Sequence, residues 1–155
     1  MTRTPRYVIA VQAEAPAQRV DTEALRRLAR RALRAEGVEQ PAELSIVLTD
    51  DAAIRDLNRR YRRRNVPTDV LSFAQREGAA FARPGDAAPH LGDVVISVET
   101  ARRQAREHRL ALREEVAHLL VHGILHLLGY DHVRKRDEAV MRAREDAILG
   151  RAHHR

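Results

Sequence analysis

Residues 111–128 form one long apolar stretch with the character of a helix, and the segment that closes it, VHGILHLLGYDH, sets three histidines around a glycine. On a helix, positions i and i+4 lie about 40° apart in azimuth and roughly 6 Å apart along the axis. His122 and His126 therefore project from one face, close enough to share an ion. Gly129 can take a positive φ, which ends the helix and lets the chain fold back toward that face. His132 then brings a third ring nitrogen. One histidine on an apolar helix is ordinarily a satisfied core residue; three at H-x3-H-x5-H, with a helix breaker between the second and third, point to a metal. Three neutral imidazoles with an open fourth position describe a catalytic zinc site, because structural sites are closed by a fourth protein ligand.

Two neighbours of this trio carry weaker signals. His118 lies one turn before His122, but one tetrahedral ion does not reach three successive turns plus His132, so a packing or supporting role is expected of it. Asp131 is suited to orient an imidazole from behind, or equally to serve as a turn residue.

The rest of the chain supplies a scaffold of alternating elements. RYVIAVQ reads as a strand. DTEALRRLARRALRAEGV reads as a helix capped by Asp21 or Thr22 and stopped at Gly37, with Leu25, Leu28, Ala32 and Leu33 at helical spacing. Its arginines, Arg26, Arg27, Arg30, Arg31 and Arg34, are expected on a solvated face. ELSIVLTD is a second strand and DAAIRDLNRRYR a second helix, with Ile54, Leu57 and Tyr61 on one side. DVLSF and LGDVVISVE are strands, TARRQAREH a helix, and DEAVMRAREDAIL a last helix ending at Gly150. Strand–helix–strand–helix–strand order predicts an α/β (α+β-like) fold: a small mixed, mostly parallel four-stranded sheet packed with about five helices, the zinc site lying at the end of the long helix. The segment 74–91 is too polar and too rich in Ala, Gly and Pro for a crossover helix. The last two strands are therefore expected antiparallel, with that segment as a flap over a site. One domain over residues 1–150 is expected, and a disordered tail over 151–155 whose His153 and His154 are not ligands.

The 155 residues suffice for a core without covalent staples. The absence of cysteine excludes disulfides and thiolate metal sites, and no apolar run has membrane-spanning length or the character of a secretory signal. A cytoplasmic protein with no membrane role is expected. The net charge is +6, and among 28 basic residues only Lys135 is a lysine. Arginine's planar fork suits phosphate oxygens, although genomic composition bias also enriches it. Between Arg55 and Arg64 stand six arginines against one acid, Asp56, a local charge of +5. A second basic run, Arg134, Lys135 and Arg136, follows His132. Basic patches on both sides of a metal would steer and hold a polyanion. Arg59, Arg60, Arg63 and Arg64 join that second run as candidate contacts to such a polyanion. The chain has only two Phe, three Tyr and no Trp, so recognition should rest on backbone and shape more than on stacked bases.

The spacing H-x-x-x-H-x-x-G-x-x-H is shared with the metzincin proteases, whose second position is a general-base Glu. Gly123 stands there, which argues against peptide cleavage. The chain instead resembles the bacterial YbeY family of metal-dependent endoribonucleases that act in ribosomal RNA maturation. HGILHLLGYDH matches the family's histidine signature, NRRYRRRNVPTDVLSF its arginine and strand block, and LGDVVIS the strand between them. These blocks lie in the expected order across most of residues 54–132. The resemblance implies one zinc ion, or another divalent ion, held by His122, His126 and His132, with Arg62 as the functional arginine. It implies a single-strand-specific endoribonuclease acting in small-subunit rRNA end processing and ribosome quality control. Its partners would be RNA, especially rRNA, and the small ribosomal subunit or its proteins, with no DNA role.

In the expected chemistry, the metal polarises a phosphoryl oxygen and acidifies a water, while Arg62 neutralises charge developing on phosphorus. Attack by hydroxide and attack by the RNA 2′-hydroxyl both remain open, and no general base stands out. Thr68, Asp69 and Ser72 are candidates to line the cleft, with Thr68 favoured as a cap, and Asp93 is either near the site or a strand-entry turn. The competing possibilities are a three-histidine hydrolase of peptides or small molecules, and a ribosome assembly factor whose metal is mainly structural.

Overall fold

The computed structural model describes residues 6–14, 17–75, 89–130 and 135–150, with the side chains of residues 18 and 135 excepted. The elements run β1 (Tyr7–Ala13), α1 (Thr22–Ala35), β2 (Ala42–Thr49), α2 (Asp51–Arg62), β3 (Val70–Ala74), β4 (His90–Ser97), α3 (Val98–His108), α4 (Leu112–Leu127) and α5 (Lys135–Leu149). The sheet order is β1-β2-β4-β3. β1 pairs parallel with β2, and β2 with β4, while β3 lies antiparallel on β4 with Val70 opposite Ile96 and Ala74 opposite Gly92. The mixed, mostly parallel sheet and the five helices are those expected, and so is the antiparallel last pair. The expected flap falls mostly on residues 76–88, outside the described residues, as does the tail 151–155.

Strand alternation sorts the side chains into two layers. Ala42, Leu44, Ile46 and Leu48 of β2, with Val94 and Ile96 of β4, face a large core shared with α1, α3, α4 and α5. Val95, Leu71 and Phe73 face the other way, into a smaller cluster with Ile54 of α2. α4 is the central helix of the large core. Its buried residues run from Glu115 to Leu125 and cover nearly every azimuth, as a helix packed on several sides must.

Local chemistry accounts for the helix starts. Asp21 accepts from the Ala24 N–H at 3.1 Å, Asp50 from Ala53 at 2.9 Å, and Ser97 from Thr100 at 3.3 Å. In α1, Leu25, Ala29, Ala32 and Leu33 are buried, and Leu28 packs partly against the core. Its arginines divide. Arg27, Arg31 and Arg34 are exposed as expected, whereas Arg26 and Arg30 turn over the sheet edge. Their Nε atoms donate to the Ile9 and Tyr7 carbonyls at 3.2 and 3.4 Å. An edge strand offers backbone acceptors with no ladder partner, and these guanidinium groups take them up.

Candidate metal centre

The last turns of α4 carry the histidine face. His122 Nε2 and His126 Nε2 lie 3.2 Å apart, and the two rings meet edge to face with centroids 4.7 Å apart. Two nitrogens bound to one tetrahedral zinc at about 2.0–2.1 Å stand roughly 3.3–3.4 Å from each other. The pair stands near the separation one ion needs, a distance at which the two rings also hydrogen-bond each other. α4 closes with Gly129 at φ +104°, a backbone conformation that a side chain would strain. There the Gly129 N–H donates to the His126 carbonyl and the Tyr130 N–H to Leu125. Asp131 and His132 follow directly and lie outside the described residues, as does Arg134.

The second nitrogen of His122 points inward. Its Nδ1 lies 2.6 Å from Oε2 of Glu145, a buried carboxylate on α5. His118 is also buried, its ring stacked 6.3 Å from that of His122 and its Nε2 3.9 Å from Glu145 Oε1. Ligand atoms of His118, His122 and Glu145 all lie within 4.8 Å of one another, and by residue type and spacing this group could hold a metal ion. His122 thus belongs to two clusters, one on each ring nitrogen.

Glu145 was not among the residues singled out from sequence. The signal for it is faint but physical: it interrupts the buried stripe Met141–Glu145–Ile148 on a helix whose other acids can reach water. A charge at a core-facing helical position needs a partner, and only the fold names it.

The wall opposite the histidines is β3. A cavity of about 500 Å³ is lined by Arg62, Thr68, Asp69, Ser72, His122 and His126 among others. Arg62, the last residue of α2, donates from Nη2 to the Ser72 carbonyl at 2.7 Å, and its guanidinium carbon sits 5.0 Å from the Phe73 ring centre. The Ser72 hydroxyl donates to the Gly123 carbonyl at 2.8 Å. Asp69 accepts from the Val70 N–H at 2.7 Å and from the Thr68 hydroxyl at 3.4 Å, through the same carboxylate oxygen.

Asp93 sits elsewhere. It shares the strand parity of Val95, on the face turned from α4, and its carboxylate lies 3.6 Å from His90 Nε2. Arg59 and Arg60 both pair with Asp56, at 2.6 and 3.1 Å, on the exposed side of α2. Arg63 and Arg64 are exposed beyond its end, and Arg136 is exposed in the first turn of α5.

Gly123 is a contact residue. A Cβ there would meet Val94 Cγ1 at 2.7 Å, Val70 Cγ2 at 3.1 Å and Ser72 Oγ at 3.2 Å. The helix lies so close to the sheet that the position cannot carry a glutamate.

Comparison with known proteins gives a consistent result. Residues 10–153 match a family model described as Endoribonuclease YbeY. A protein of that name from Pelotomaculum thermopropionicum is 51% identical over 127 residues, 82% of this chain and 83% of the relative. Another from Roseiflexus castenholzii is 50% identical over 132 residues, 84% and 83% of the two chains. A third, from Moorella thermoacetica, is 50% identical over 142 residues, 89% and 90%. Among solved structures, the solution structure of a Thermotoga maritima protein is similar with a TM-score of 0.58 and 23% identity, covering 92% of this chain and 90% of that one. That likeness concerns the fold.

Proposed function

The chain belongs to the YbeY endoribonuclease family, and from that premise we propose that it is a zinc-dependent, single-strand-specific endoribonuclease of rRNA maturation. One observation carries the metal assignment: two imidazole nitrogens 3.2 Å apart, in a cavity they share with Arg62. His122 and His126 supply two ligands through Nε2, and His132, three residues beyond the helix-ending Gly129, supplies the third. The other donor set is less suited. Two ligands of one zinc ion stand more than 3 Å apart, whereas Glu145 Oε2 and His122 Nδ1 are 2.6 Å apart, in direct hydrogen-bond contact. When bound, the ion supplies Lewis acidity toward a phosphoryl oxygen and a more acidic water.

The chain's own groups do the rest. The Ser72 carbonyl fixes one arm of Arg62 and the Phe73 face supports its plane, so the guanidinium meets a phosphodiester without first losing rotamer freedom. Its charge opposes the negative charge that grows on the phosphoryl oxygens. The exposed arginines Arg63, Arg64 and Arg136 hold the backbone of a polyanion.

The substrate proposed is RNA, above all the small-subunit rRNA end, met on the small ribosomal subunit or its proteins in the cytoplasm. Among the described residues, no helix is long and apolar enough to cross a membrane. Peptide hydrolysis is disfavoured because the position of the general-base glutamate is packed against Val94.

The decisive experiment pairs elemental analysis with RNA cleavage, with and without chelator, on wild type and His126→Ala. Wild type should hold one zinc per chain and lose cleavage on chelation, and the variant should lose both. Cleavage that persists with the metal demonstrably gone overturns the proposal.

A further inference from the structure

Glu145 is a carboxylate only 6% exposed, set between Met141 and Ile148 in the apolar stripe of α5. A buried charge without donors is costly, so such a residue persists where a donor meets it. One such partner is His122, whose Nδ1 lies 2.6 Å from Oε2, while His118 Nε2 stands 3.9 Å from Oε1. A hydrogen bond to a carboxylate requires the proton to sit on Nδ1, and in a neutral imidazole that leaves the lone pair on Nε2. Nε2 is the atom that faces His126 and the cleft.

The carboxylate is itself aimed. The preceding residue, Arg144, donates from Nε to Glu36 Oε2 at 2.7 Å and reaches the Ala35 carbonyl at 3.4 Å, clamping α5 to the end of α1. Successive helical residues are 100° apart, so anchoring Arg144 on α1 turns Glu145 toward α4. The second Glu36 oxygen accepts from the Tyr130 hydroxyl at 2.6 Å. One glutamate therefore ties α5 to Tyr130, just past the end of α4.

We propose that Glu145, aimed by the Arg144–Glu36 clamp, is the positioning residue of the centre, locking His122 in the Nδ1–H tautomer with Nε2 turned to the metal. The inference rests on the metalloenzyme assignment above and deepens it. Glu145 touches neither substrate nor ion; it acts through His122. Outer carboxylates of this kind raise ligand basicity and hold ring orientation.

The test uses the full chain with ¹⁵N-labelled histidine. After chelation, NMR of wild type should show His122 as the Nδ1–H tautomer. Glu145→Met, which suits the apolar stripe, should lose that single tautomer. In competition with a chromogenic chelator, its Zn²⁺ affinity should fall on the order of 10–100-fold, with one zinc per chain still bound at saturation. Glu145→Gln should fall between the two, and if the Met variant does not fold it decides the matter with the same readouts. A wild-type His122 protonated on Nε2, or a variant affinity within about twofold of wild type, overturns the inference alone. A variant that binds no zinc at saturation overturns it too, by making Glu145 a ligand. Wild type that takes up no zinc at all overturns the metalloenzyme assignment and this inference together.

Discussion

The Ser72 hydroxyl donates to the Gly123 carbonyl at 2.8 Å, and the Ser72 carbonyl accepts from Arg62 at 2.7 Å. One residue of β3 therefore links Arg62 to the helix that carries His122 and His126, and all four line one cavity. Replacing Ser72 with Ala should cost about 0.5–1.5 kcal/mol in denaturant unfolding, the usual net worth of such a bond. Zinc content should hold while cleavage falls, because Arg62 loses its fixed distance from the histidines. Unchanged cleavage would mean that strand pairing alone sets this spacing.

Gly123 makes the close approach of α4 to the sheet possible. Gly123→Ala drives a methyl group to 2.7 Å from Val94 Cγ1, and overpacking of this kind costs typically about 1–3 kcal/mol. A thermal melt should show the loss. Paired with Val94→Ala, the substitution should cost less than the sum of the two single changes, since the smaller side chain makes room. Simple additivity would place the strain elsewhere.

Arg62→Ala should leave one zinc per chain and lower cleavage by about 10²–10³-fold, the scale for loss of one charge-stabilising donor. Its Nη2 donates to the Ser72 carbonyl of β3, which is why metal content is expected to stand. Arg62→Lys should recover only part of the activity, because a single ammonium cannot both hold the Ser72 carbonyl and present a planar fork. Loss of zinc in either variant would make the arginine structural.

Asp51 joins the starts of α2 and α3. Burial pushes its carboxyl upward, but hydrogen bonds from Ser97, Thr100 and Arg103 more than offset this and hold it below the ordinary carboxylate range. A group with a lowered folded pKa stabilises the fold above its unfolded value, and that stabilisation is lost as pH falls through the folded value. Asp51→Asn should therefore be less stable than wild type at pH 7, with the gap closing toward pH 3. Urea unfolding at both pH values checks this, and a gap independent of pH would refute it.

Asp56 holds Arg59 and Arg60 on the exposed side of α2, and its carboxyl is lowered first by the Arg59 hydrogen bond. Asp56→Asn should release both guanidinium groups and tighten single-stranded RNA binding at low salt, with the gain fading as salt rises. A binding titration at two salt concentrations reads it directly. No change at low salt would remove Arg59 and Arg60 from the RNA surface.

What could be read from the chain without the fold is what depends on near neighbours in sequence. The caps at Asp21 and Asp50 act over three residues, β2 alternates with a period of two, and His122 and His126 share a face because four residues make about one helical turn. The antiparallel run of β3 followed from a connection unfit to be a crossover helix. Tertiary structure decided whatever depends on which distant surfaces meet. Glu145 finds His122 only because α5 packs on α4, and Arg26 and Arg30 reach backbone carbonyls only because α1 lies along the edge of β1. Asp93 and Val94 are adjacent in sequence, yet strand alternation and the placement of α4 put them on opposite faces of the sheet. Short-range geometry is set by bond angles and helix pitch, which every stretch of chain carries with it. The partner of a buried charge is set by packing across dozens of residues, and that exists only once the core has formed.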